Sequence, residues 1–173
     1  MSYCDRTLQH LLRTFIEITL LRQGPQDVPS RSVVLVVAIG LLLFAFLSTA
    51  VAMPETVSGN IAISFFVSVL SYVVYWLVLL ATGFGRRLVP TIASIMACGS
   101  ILTILHVVVF VVMRQFTSDV VTDTVAWLIL IWAIPVKGNI IARSIEQHWF
   151  AGIAIAMTIF VMQNITYIIL VNL

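Results

Sequence analysis

The chain has 173 residues, of which 61% are hydrophobic and 9% charged, with a mean hydropathy of +1.14 and a formal net charge of +2. Soluble domains carry about a quarter charged residues, so this composition excludes an ordinary water-soluble fold and points to lipid. The nine cationic side chains form no basic face or stripe, which argues against a nucleic-acid partner.

Residues 1–31 form a polar, cytoplasmic N-terminal segment ahead of a bundle over 32–173. They lack the apolar core and small-residue cleavage site of a secretory signal, so the first apolar run is expected to stay. From Cys4 to Gln23, Leu8, Leu11, Leu12, Phe15, Ile16, Leu20 and Leu21 recur at helical spacing, with Arg6, Gln9, Arg13 and Glu17 opposite. Arg13 and Glu17 sit four apart and can pair. Gly24-Pro25 is the expected stop of this amphipathic helix. The segment suits a helix lying along the headgroups; the alternative is that its apolar face packs on the cytoplasmic end of the bundle or on a partner.

A hydrocarbon core of about 30 Å needs roughly 20 helical residues to cross it. Five runs meet that length: Ser32–Met53, Ile61–Gly83, Thr91–Met113, Thr122–Ile141 and Trp149–Val171. Pro29, Pro54, Gly83, Gly85 and Pro90 punctuate them. On the fourth run Pro135 removes a backbone donor, so a kink or loosening is expected there, with Lys137 snorkelling to the headgroups or opening the loop. Trp149 opens the fifth at an aromatic belt.

Lys and Arg alternate between the gaps. Arg6, Arg13, Arg22 and Arg31 precede the first span, Arg86 and Arg87 follow the second, and Lys137 and Arg143 precede the fifth, leaving only Arg114 on the other side. The positive-inside rule then sets the N-terminus in and the C-terminus out. Arg13, Arg22, Arg86 and Arg87 can contact anionic lipid headgroups, although orienting the chain accounts for them equally.

His106 is the ionisable residue well inside an apolar run, at a depth shared by Gln163 and Asn164 of the fifth span and by Ser68 and Ser71 of the second. These side chains form a polar layer. Two readings apply: a histidine held by Asn164 or Gln163 as glue between helices, or a solute or proton site open to the periplasm. Tyr72, Tyr75 and Trp76 are read as packing and belt residues. Gly152 with Ala156, and Ala93 with Ala97, suggest a close contact of spans three and five. Asp119 and Asp123 lack a histidine partner and are read as solvated, so no metal site is expected. No nucleophile–base arrangement, phosphate-binding glycine loop or cofactor box is legible, which predicts a non-enzymatic protein without a cofactor.

Five closely spaced spans, the approach Gln23-Gly24-Pro25-Gln26-Asp27-Val28-Pro29 and the stretch Trp132-Ala133-Ile134-Pro135-Val136-Lys137-Gly138-Asn139 resemble small bacterial members of the Yip-type membrane-domain family. Eukaryotic members of that family serve as membrane-trafficking partners of Rab-type GTPases. This chain lacks the long N-terminal region and acidic-aromatic motif of that role, so Rab binding is not implied. The resemblance implies a bundle that organises or assists other membrane components. The expectation is therefore an accessory, assembly or membrane-organising subunit, contacting lipids and other membrane proteins or its own copies; the rival is a small solute or ion transporter built on the layer around His106.

Overall fold

The computed structural model describes residues 3–28, 32–52 and 61–172. The described elements are helical, with no strand among them: α1 (Tyr3–Thr19), α2 (Ser32–Ala52), α3 (Ile61–Ala81), α4 (Leu88–Phe116), α5 (Asp119–Ser144) and α6 (Trp149–Val171). Pro29, Arg31, Met53, Pro54 and Glu55 lie outside the described residues, as do the side chains of Cys4, Arg6, Leu8 and Arg86.

Helices α2 to α6 are each long and apolar enough to cross a membrane. Hydrocarbon offers no partner for a backbone amide, so an apolar run of this length folds as a helix that satisfies its own N–H and C=O groups. Helices α2 and α3, of 21 residues each, match a hydrocarbon core of about 30 Å. The longer α4 and α5 extend three residues past each end of the expected spans, because polar residues such as Arg114 and Ser144 continue the helix beyond the apolar run.

Helix α5 also runs through Pro135 without a break, and Gly138 and Asn139, expected near its end, are buried helical residues. Lys137 therefore opens no loop. One backbone hydrogen bond is lost at the proline, but packing on both flanks holds the helix together.

Helix α4 is the axle: α1, α2, α3 and α5 all pack on it, and its residues from Ala93 to Cys98 are buried. Helix α6 packs on α5 and, less extensively, on α3. Gly152 and Ala156 do not reach span three as expected. A Cβ on Gly152 would overlap the Gly138 carbonyl oxygen and lie 2.6 Å from Ala142 Cβ, while a Cβ on Gly138 would lie 2.8 Å from Ile153 Cα. Small residues on both surfaces let α5 and α6 meet backbone to backbone.

The amphipathic α1 turns its apolar face onto protein. Leu11, Phe15 and Ile18 are buried in the core, and α1 rests on α4 and α5. Cys98 Sγ donates to the Phe15 carbonyl at 3.5 Å, and Trp132 Nε1 donates to the Thr19 carbonyl at 3.2 Å. Cys98 lies about 15 Å along α4 from Leu88 at 1.5 Å per residue, so α1 reaches well up the bundle. Arg13 pairs with Glu17 at 3.0 Å on the outer face, where Ile16 and Leu20 are also exposed.

The helix ends before the expected Gly24. Leu21 takes a left-handed conformation (φ 62°), with Arg22 N–H bonded to the Glu17 carbonyl and Leu21 N–H to that of Ile18. The same pair of bonds closes α3 at Gly83 (φ 82°), and at Glu146 (φ 53°) after α5 the outer one, Gln147 N–H to the Ala142 carbonyl, recurs. A residue with a Cβ pays roughly 1 kcal/mol or more there, and at Leu21 packing against the core offsets it.

Gly152→Val is expected to destabilise the bundle by roughly 2–3 kcal/mol or more through overpacking at the α5–α6 contact. Thermal unfolding in detergent measures it against Gly40→Val, where a Cβ meets nothing within 4 Å.

Candidate functional site

The helices gathered about α4, with α6 against α5 and α3, leave an off-centre space where polar side chains gather. A cavity of about 400 Å³ lies between α2, α3, α4, α5 and α6, each of which lines it. Helix α3 supplies one continuous stripe, Ser64, Ser68, Ser71, Tyr72 and Tyr75, at helical spacing. From Ser64 to Tyr75 the stripe rises roughly 16 Å. Thr49, Ser64 and Tyr167, at one end, lie near the close of α2, the start of α3 and the close of α6. At the other end are Tyr75, Gly99 and Lys137.

Four of the five residues expected in a polar layer line this cavity: Ser68, Ser71, Gln163 and Asn164. His106 does not. Its Nδ1 lies 3.3 Å from the Ala126 carbonyl of α5, and its ring stacks on Phe110 at 6.3 Å. The expected bond to Gln163 or Asn164 is not formed, because His106 faces α5 whereas those two face the space between α3 and α6. Asn164 donates instead to the Phe160 carbonyl of its own helix at 2.8 Å.

Lys137 is the cation the sequence reading sent to the headgroups. It sits inside α5 and points across to α4, where a Cβ on Gly99 would lie 4.0 Å from Lys137 Cε. Among the described residues that line the cavity, none is a carboxylate. Among the described residues Lys137 has no ion-pair or hydrogen-bond partner; the ion pairs there are Arg13–Glu17, Arg87–Glu146 and Arg114–Asp119. A signal for this chamber existed in the α3 stripe and in Gln163 and Tyr167, four apart on α6. It was hidden because tyrosines at helical spacing usually pack.

The hydroxyls divide into two sets. Ser68, Ser71, Ser100 and Thr103 each donate to the carbonyl four residues back, at 2.7–3.0 Å. Tyr72, Tyr75 and Gln163 have no protein hydrogen-bond partner among the described residues. Tyr167 likewise has no partner there, so the chamber offers uncommitted groups from a lysine, three phenols and an amide.

The proposed lipid-facing arginines are placed as follows. Arg13 is exposed and paired with Glu17, and Arg22 is exposed. Arg87 bonds Glu146 and the Ser144 carbonyl and stacks over Phe84, tying the α3–α4 turn to the end of α5. Beside it, Thr91 Oγ1 and Ser144 Oγ lie 2.8 Å apart. Among the described residues no three His, Cys, Asp or Glu side chains cluster as metal ligands. Comparison of the chain with family models, curated proteins and solved structures finds no match.

His106→Ala is expected to cost less than about 1 kcal/mol, since a single long bond to a carbonyl within a helix is lost. Chemical or thermal unfolding in detergent checks it; a loss well above that figure would give His106 a larger structural part.

Proposed function

We propose that this is a multi-pass protein of a bacterial inner membrane that binds a small polar solute inside its helix bundle, without catalysing a reaction on it. The observation that carries this reading is the chamber itself, lined from all five long helices and holding a lysine that, among the described residues, has no ion-pair or hydrogen-bond partner, with the phenols of Tyr72 and Tyr75 at its level. Polar groups that line a space within hydrocarbon need water or a ligand there to satisfy them. A bundle needing only stability would fill such a space with apolar side chains.

The charge pattern supports an N-terminus in the cytoplasm and a C-terminus on the far side. Arg13, Arg22, Arg87 and Arg143 lie toward one end, and Arg114 toward the other. In that orientation the end of the chamber at Thr49, Ser64 and Tyr167 faces outward and Lys137 lies at its inner end. Ligand binding, rather than chemistry, suits the lining: its serines bond their own helices, His106 faces elsewhere, and Cys98 is buried against α1.

A second reading, an accessory or organising subunit, draws on the outer surface. Val36, Leu43 and Leu47 of α2 and Trp127, Leu128 and Ile131 of α5 are exposed. Such faces suit lipid, neighbouring membrane proteins or further copies of the chain. The Yip-type resemblance belongs with this second reading.

Native mass spectrometry of the full chain separates the two. A small molecule that co-purifies, and is lost in the chamber-filling variant Ser68→Trp, is the expected result; an empty chamber with a stoichiometric protein partner would favour the accessory role. A C-terminal alkaline phosphatase fusion is expected to be active, and a C-terminal fluorescent protein dark.

A further inference from the structure

The proposed solute-binding role leaves the ligand's chemistry open, and the chamber's own groups narrow it. Lys137 begins about 10 Å inside the cytoplasmic end of α5, and Tyr75 about 9 Å inside that of α3, so the ammonium and the phenols of Tyr72 and Tyr75 belong to one level of the bundle. Lysines near span ends normally run their stems outward to the headgroups. Here the stem runs toward α4, its Cε 4.0 Å from where a Cβ on Gly99 would stand.

At that level the chamber holds donors and no counter-charge. Ser68, Ser71, Ser100 and Thr103 are committed to their own helices, as set out above, and among the described residues no carboxylate lines the space. The groups at that level still able to donate are the Lys137 ammonium and the Tyr72 and Tyr75 hydroxyls; Gln163, about 21 Å along α6 from its start at Trp149, and Tyr167 lie nearer the other end. An acceptor-only group with one negative charge satisfies them together. A phosphate is a poorer match, since it is usually held by a guanidinium fork or several backbone N–H groups, and no arginine is among the described lining residues. The remaining walls are apolar, including Leu42, Val67, Leu102, Ile129 and Phe160. A volume of about 400 Å³ falls in the range of small-molecule sites.

We propose that the chamber binds a small monocarboxylate with an apolar body, its carboxylate on Lys137 and its body against the aliphatic and aromatic walls. This assignment rests on the solute-binding reading and adds the charge, size and orientation of the solute. The carboxylate supplies the counter-ion that the protein does not, which accounts for a lysine retained in a span.

The test uses the full-length protein in detergent, with phenylacetate, its uncharged isostere phenylacetamide and inorganic phosphate as probes. Calorimetry and thermal shift are expected to show binding of phenylacetate, with phenylacetamide and phosphate each weaker by roughly tenfold or more. Lys137→Met is expected to lose that preference and Lys137→Arg to keep it. Equal binding of the acid and the amide, or an undiminished preference in Lys137→Met, would overturn the carboxylate assignment while leaving a solute chamber in place. Tighter binding of phosphate would overturn the ligand class. Failure of all three probes would overturn the assignment too, and a purified chain carrying no small molecule would then remove the solute-binding reading with it. The comparison of acid with amide uses the unaltered chain, so it does not depend on whether a Lys137 variant folds.

Discussion

The backbone contact between Gly138 and Gly152 sets the rotation of α5, and the character of the bundle interior follows from that rotation. A helix repeats every 3.6 residues, so fixing Gly138 and Ala142 against α6 aims the neighbouring Lys137 away from α6 and across toward α4. A rotation of α5 by a third of a turn would carry the ammonium to lipid, where snorkelling would take it to the headgroups. Pro135 sits one turn before this contact, and the tight packing of Gly138 compensates for the backbone bond missing there.

Helix α4 and helix α1 hold the remaining geometry. Burial along α4 from Ala93 to Cys98 lets α1, α2, α3 and α5 gather around one rod. Helix α1 then closes the α4–α5 side, seated by Phe15 and Ile18 and by the bonds from Cys98 and Trp132 to its carbonyls. The end of α5 is tied separately, through Arg87 to Glu146 and Ser144 and through Thr91 to Ser144. The chamber lies on the other side, where α3 touches α4 less extensively than α2 does and the gap is lined rather than filled.

Hydropathy made the architecture readable, because a run of some 20 apolar residues has one stable form in lipid. The five runs, their order and the amphipathic α1 could all be traced in the sequence. Depth along each span was readable too, which is why Ser68, Ser71, Gln163 and Asn164 could be grouped. What depth cannot supply is rotation: His106 shares their level yet faces Ala126, since the direction of a side chain depends on which neighbours each helix meets. Lys137 was misplaced for the same reason, its position near a span end suggesting the headgroups while the Gly138 contact turned it inward. Leu21 ended α1 ahead of Gly24 because tertiary packing outweighed the intrinsic preference for glycine at a left-handed position.

The central claim is a water-accessible chamber with a lone positive charge at its inner end. Cysteine accessibility tests it most directly, in membranes carrying a Cys4→Ser, Cys98→Ala background with a single cysteine at Ser68 or, as a lipid-facing control, at Leu128, which is 60% exposed on the outer surface of α5. Impermeant methanethiosulfonates of opposite charge would be applied from the C-terminal side. The expected result is labelling of Ser68→Cys but not Leu128→Cys, with the anionic reagent faster than the cationic one and that advantage lost on adding Lys137→Met. Labelling of Ser68→Cys no faster than Leu128→Cys, or an advantage for the cationic reagent, would contradict the account.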